Sequence, residues 1–145
     1  MGAKRGYECV LNYKEGGISG VGEWTELTNA MDVSSSGDVD KWEMTTRAAA
    51  KSGFKAFLTL LKEAPLTFKM LWDTADAGFA VLREAWFGNL VVGFQILDGA
   101  DGQGIQADFN IAKFTRNEPL NEGVTVDVEA FITYVDTAPE WIGAT

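Results

Sequence analysis

The sequence predicts a mainly β fold, a β-sandwich or partly closed barrel of six to seven strands with one flanking α-helix at about residues 74–87. Apolar residues recur at every second position in segments near both ends of the chain, the period of strands with one buried face. Only one segment carries the three- and four-residue spacing of an amphipathic helix. The length, 145 residues, suffices for one core, and with no long Pro-, Gly- or Ser-rich linker and no internal repeat the expected organisation is a single domain over 1–145.

The elements follow in order. Tyr7, Cys9, Leu11 and Tyr13 alternate with Glu8, Val10 and Asn12, which gives a first strand. Gly16, Gly17, Gly20 and Gly22 make the next stretch a loop. Trp24 to Val33 reads as an irregular strand ending at the Ser34-Ser35-Ser36-Gly37 turn. From Val39 to Arg47 the period is again two, with Trp42, Met44 and Thr46 on one face and Lys41, Glu43, Thr45 and Arg47 on the other. Residues 48–64 read as a loop with a short helix around Phe54 to Leu61. Pro65 opens a strand in which Leu66, Phe68, Met70 and Trp72 alternate with Thr67 and Lys69. Asp73 or Thr74 can then cap a helix whose Ala75, Phe79, Leu82 and Trp86 share a face, and Gly88 suits its end. Three more strands are expected at Leu90 to Leu97, Ile105 to Thr115 and Val124 to Val135, followed by a C-terminal tail from about residue 136.

Composition narrows the function. The formal net charge is −9, which opposes sequence-independent binding to a phosphate backbone. The charge is uneven: residues 1–83 hold 11 acids and 10 bases, while residues 84–145 hold 10 acids and 2 bases. The two halves are expected to face different surroundings. The start of the chain lacks the apolar core of a secretory signal, and no apolar run approaches the roughly 20 residues that span a bilayer, so a cytoplasm-like compartment is expected. The single Cys9 excludes an internal disulfide and reads as a buried small hydrophobe.

Catalytic chemistry finds no support. There is no histidine, which removes the commonest general base and the commonest metal ligand together. No phosphate-binding loop motif is present, and Gly99, Gly102 and Gly104 follow a strand without opening a helix. Asp98 and Asp101 are three apart rather than two and no Glu closes the loop, so a hairpin turn is expected there instead of a calcium site. Trp42, Phe68, Trp72, Phe79 and Trp86 lie on apolar faces and read as core. Trp141 fits either a neighbouring subunit or an anchor of the tail on its own domain. No enzyme, cofactor or metal is predicted.

Several segments carry a resemblance. Lys4-Arg5-Gly6-Tyr7 stands near the start, and Trp24 leads to Met31-Asp32-Val33-Ser34. Glu43-Met44-Thr45-Thr46-Arg47 ends a strand, Leu66-Thr67-Phe68-Lys69-Met70 precedes Trp72-Asp73, and Pro119-Leu120-Asn121-Glu122-Gly123-Val124 enters the last strand. In this order they resemble the major tail tube proteins of long-tailed bacteriophages, from about Gly6 to Val135, a family related in fold to the tubes of contractile tails and type VI secretion.

The resemblance implies a structural subunit that forms hexameric rings, with the rings stacking into a tail tube through which DNA is ejected. Its partners would be further copies of itself, together with tail initiator, tape measure and terminator proteins; DNA would pass without specific binding and the subunit would not enter a membrane. Its place would be the virion tail, assembled in the host cytoplasm. On that reading Gln106, Asp108, Asn110, Thr125, Asp127 and Glu129 are the candidate lumen-facing residues, an acidic or neutral wall that DNA passes without sticking. Lys51, Lys55 and Lys62, in a stretch from Lys41 to Lys69 with six bases and two acids, are the candidate inter-ring contacts. Two alternatives stay open: a tail terminator or completion protein that forms single rings, and a β-barrel module that binds a small ligand or carbohydrate.

Overall fold

The structure is a computed structural model that describes residues 6, 9–99, 102–133 and 137–143. Among these described residues ten strands and two helices follow one another: β1 (Val10–Glu15), β2 (Thr25–Glu26), β3 (Ala30–Ser35), β4 (Asp38–Glu43), α1 (Arg47–Ala50), β5 (Phe57–Glu63), β6 (Leu66–Leu71), α2 (Ala77–Phe87), β7 (Val91–Leu97), β8 (Gly104–Asn117), β9 (Thr125–Ile132) and β10 (Glu140–Ile142). The predicted mainly β fold with one main helix is what forms. Expected features at Lys4, Arg5, Tyr7, Asp101 and Val135 lie outside the described residues.

Seven strands form one antiparallel path in the order β2-β1-β7-β8-β9-β6-β3, and β10 pairs with β8 to give an eight-stranded sheet. The sheet is rolled but not closed. Its inner face is apolar because alternation along each strand sends the same parity inward: Leu11 and Tyr13 from β1, Val92 and Phe94 from β7, Ala107, Phe109 and Ile111 from β8, Val126, Val128 and Ala130 from β9, and Leu66, Phe68 and Met70 from β6. Helix α2 closes this interior with Phe79, Leu82 and Ala85. Phe79 meets Trp72 edge-to-face at 4.9 Å and Phe114 at 5.8 Å; Trp86, expected in the core, is instead exposed and stacks on Phe114 from the solvent side.

The helix begins at Ala77 rather than after Asp73 or Thr74. Asp73 is already used: its carboxylate accepts from Ala75 N at 3.0 Å and closes a turn, so Asp76 becomes the cap and accepts from Phe79 N at 2.9 Å. At the other end the Gly88 amide donates to Glu84 O, as expected of its stop position. β7 and β8 pair antiparallel as the expected hairpin, with Gln103 N bonded to the Asp98 carboxylate and Asp98 N to Gln103 O.

The largest departure concerns residues 48–64. Instead of a loop with a helix around Phe54 to Leu61, strand β5 pairs antiparallel with β4 in a separate two-stranded ribbon, and the only helical turn, α1, comes earlier, capped by Thr46. The run Phe57-Leu58-Thr59-Leu60-Leu61 is apolar on both faces, so its period distinguishes neither helix nor strand; the partner strand decides. No residue of β4 or β5 is buried. Trp42, expected in the core, is therefore 60% exposed on the ribbon. Cys9, expected to be buried, is exposed ahead of β1.

Candidate functional site

The outer face of the sheet is where the six candidate lumen residues lie, and pairing register fixes their relation. On β8, Gln106, Asp108 and Asn110 alternate with the core residues Ala107, Phe109 and Ile111. On β9, Thr125, Asp127 and Glu129 alternate with Val126, Val128 and Ala130. All six share one face. A register shift between Ile111 and Lys113 adds one residue to β8 and exchanges its parity, so that Lys113, Thr115 and Asn117 continue this face opposite Glu129, Asp127 and Thr125. From β6, Lys69 and Thr67 join them opposite Asp127 and Glu129.

Two environments result. Along β9 the face is open to solvent and charge-balanced. Lys113 Nζ lies 3.8 Å from Glu129, Asn117 donates to Asp127 at 2.7 Å, and Lys69 is the register partner of Asp127. Two acids thus face two lysines, where the sequence reading named only the acids. The pair at Glu129 is exposed and contributes little to stability. Its consequence is electrostatic: the surface is polar without a strong field of either sign.

At the other end of β8 the face is covered. Asp108 is 1% exposed and accepts from Ile18 N at 2.6 Å, which pins the glycine-rich loop of residues 16–24 across the sheet. The pin needs glycine. Gly17 has φ +92°, and a Cβ there would sit 2.6 Å from Asp108 Oδ1; beneath the loop, a Cβ on Gly93 would come within about 3 Å of Gly17, Ile18 and Trp24. Asp108 therefore does not present its charge on the subunit's surface. Gln106 is also buried, in a side-chain ladder that follows the register row across four strands. Asn12 donates to Gln95 at 3.0 Å, Gln95 to Gln106 at 2.7 Å, and Gln106 to Glu140 on β10. This ladder, with Trp141 Nε1 donating to Gln103 at 3.0 Å, anchors the C-terminal strand on its own sheet. Asn110 and Thr125 are half-buried.

The candidate inter-ring lysines sit on the ribbon. Lys51 and Lys55 are at its tip, with Lys55 4.0 Å from Glu43, whereas Lys62 is opposite Val39 near the base. They are not adjacent to the outer face just described. Among the described residues no group of His, Cys, Asp and Glu could hold a metal ion, and no helix is long and apolar enough to cross a membrane.

No protein-family model and no curated protein matches the sequence. Solved structures do match its fold. The chain superposes on a protein from the tail of an empty gene transfer agent (GTA) particle, determined by helical refinement with C6 symmetry, with a TM-score of 0.79 and 15% identity over 97% of this chain and 100% of that one. It superposes on the SPP1 tail tube protein with a TM-score of 0.73 and 9% identity over 90% of this chain and 76% of that one. A chain of the anti-feeding prophage (AFP) baseplate gives 0.58 and 8% identity over 99% and 95%. The chain therefore has the fold of tail tube proteins, reached through a sequence that shares few residues with them.

Proposed function

We propose that the chain is a structural subunit that closes into hexameric rings and that these rings stack into a tail tube, a conduit for DNA ejection. The observation that carries this reading is the correspondence of nearly the whole chain with a subunit of a C6-symmetric tail. The ribbon supports it independently. A two-stranded ribbon with no buried residue is marginal in water by itself, and its exposed Trp42, Phe57, Leu58, Leu60 and Leu61 call for a surface that this copy does not provide.

On this reading the outer face of β8 and β9 lines the bore, and Asp127, Glu129, Asn110 and Thr125 form its wall with Lys69 and Lys113. Asp108 and Gln106 act from behind it by holding the 16–24 loop and β10. A wall of balanced charge neither binds nor strongly repels a phosphate backbone, which suits passage without adhesion. Lys51 and Lys55, and Lys62 nearer the base, contact another ring through the ribbon. The subunit belongs to the virion tail after assembly in the host cytoplasm, with initiator, tape measure and terminator proteins as its partners.

Negative-stain electron microscopy of purified protein across concentration and salt tests the reading. Hollow tubes are expected; single rings that never lengthen would favour a terminator, and a persistent monomer would remove the tube assignment. In assembled particles, replacing Asp127 and Glu129 by Lys leaves the open part of the wall with four lysines and no acid. Tubes should still form, and DNA ejection should slow. Unaltered ejection would remove these residues from the bore.

A further inference from the structure

The two ends of the rolled sheet differ in charge and shape, and the topology says which segments lie at each. In the shared register, Ser35 pairs with Leu66 and Leu66 with Ala130, and the β4–β5 ribbon continues from this end of the β3–β6 pair. The loops of residues 72–76 and 118–124 lie at the opposite end, where β6 stops at Leu71 opposite Thr125 and β8 stops at Asn117 opposite Thr125. Trp72 N bonds to Val124 O, and the Arg116 guanidinium lies 4.6 Å from the centre of the Trp72 ring, so these two loops are neighbours.

Their chemistry is complementary. The ribbon tip, residues 44–56, carries Arg47, Lys51 and Lys55 and no acid, with Lys55 4.0 Å from Glu43 at the end of β4 and Phe54 78% exposed between Lys51 and Lys55. At the far end Arg116 is paired with Glu118 at 3.4 Å, while Asp73 and Glu122 are in no ion pair among the described residues. Between Glu118 and Glu122 stands Leu120, 98% exposed. One end thus projects cations around an apolar side chain, and the other offers carboxylates around an apolar side chain.

We infer that the ribbon tip of one copy docks on the far end of a second copy, setting Phe54 against Leu120 and Lys51 and Lys55 against Asp73 and Glu122. This rests on the tube reading and names the surface that receives the ribbon. The contact is heterologous: two different surfaces meet, so each docking leaves one unused tip and one unused receiving end, and growth continues in one direction without closing. Charge complementarity sets register and encounter rate, and juxtaposed like charges oppose it.

Charge reversal of the full chain tests the pairing. Lys51→Glu with Lys55→Glu changes only exposed side chains, and its thermal melt should match wild type; Asp73→Lys with Glu122→Lys also removes the Asp73 bond to Ala75 N, so its melt should fall slightly while the protein stays folded. Each pair should lower tube yield by about ten-fold or more at moderate salt, a loss on the order of one like-charge contact, and the four-residue exchange should restore elongation. A photocrosslinker at position 54 should join the peptide that holds Leu120 in another copy. Wild-type tubes with both reversed variants elongating normally, or a folded four-residue variant no better than either pair, would overturn the docking while leaving the tube reading intact. Wild-type protein that never forms tubes would sink the tube reading itself.

Discussion

Truncating Phe79 to Ala tests whether α2 completes the core or merely covers it. The Phe79 side chain is fully buried and has edge-to-face contacts with both Trp72 and Phe114, so its removal loses transfer free energy and leaves a cavity between two rings that cannot easily collapse into it. Phe-to-Ala changes at such sites cost about 3–5 kcal/mol, and the two aromatic partners place this one toward the upper part of that range. The cap is unaffected, because Asp76 bonds the backbone amide at position 79. With a urea slope of about 2 kcal/mol per molar, the unfolding midpoint of unassembled protein should fall by about 2 M. Phe87, on the same helix but 83% exposed, is the control: Phe87→Ala should stay within about 0.5 kcal/mol of wild type. If Phe79→Ala shifts stability by less than about 1 kcal/mol, or no more than Phe87→Ala, α2 is not part of the core and the packing described here is wrong.

Two further outcomes follow from single residues. Gly17→Ala forces a side chain into the left-handed region and against Asp108, and it should cost about 2 kcal/mol or more, read as a melting temperature lower by at least several degrees; an unchanged melt would show that Asp108 does not hold the loop. Burial, together with the carboxylates of Asp76 and Glu15, pushes the Tyr13 phenol above its ordinary 10.0. The folded state then holds this proton more tightly than the unfolded chain. Its stabilising contribution is complete below about pH 10 and is lost as pH rises through the raised folded value. Denaturation midpoints across that range should fall more steeply for wild type than for Tyr13→Phe, and parallel curves would refute the assignment.

What the sequence displayed depended on how local the deciding interaction was. Leu66–Leu71 and Thr125–Ile132 alternate cleanly because each has one face in the core and one in water, and both were legible. The main helix was legible from the spacing of Phe79, Leu82 and Trp86, although its cap fell three residues later because Asp73 spends its carboxylate on a turn. Outer-face residues on β8 were read correctly up to Asn110. Beyond it, the extra residue near Ile111 reversed the parity, and nothing in Ile111-Ala112-Lys113 announces a bulge. For that reason Lys113 was missed and the outer face looked more acidic than it is. The burial of Asp108 could not be read at all, since its partner Ile18 lies 90 positions away. The ribbon was missed for a related reason: Phe57–Glu63 becomes a strand through β4, and its own pattern is ambiguous.

These misses share a cause that bears on assembly. The ribbon was hard to read because it obeys no inside–outside rule within one copy; its apolar residues satisfy no core, and its faces are both wet. The core, by contrast, is complete without it, since every fully buried large side chain belongs to the rolled sheet or α2. The open edges of that sheet are blunted rather than paired: β2 is only two residues long, and β3 carries a register shift with Asp32 at a left-handed φ of 52°. Short and irregular edges discourage indiscriminate strand addition. The ribbon is therefore dispensable for the core, which leaves it available for the association proposed above. A subunit can bury its core without the ribbon, and on the proposed docking its joining to another copy falls to the ribbon and the end that would receive it. Such a division suits a subunit that folds before it assembles.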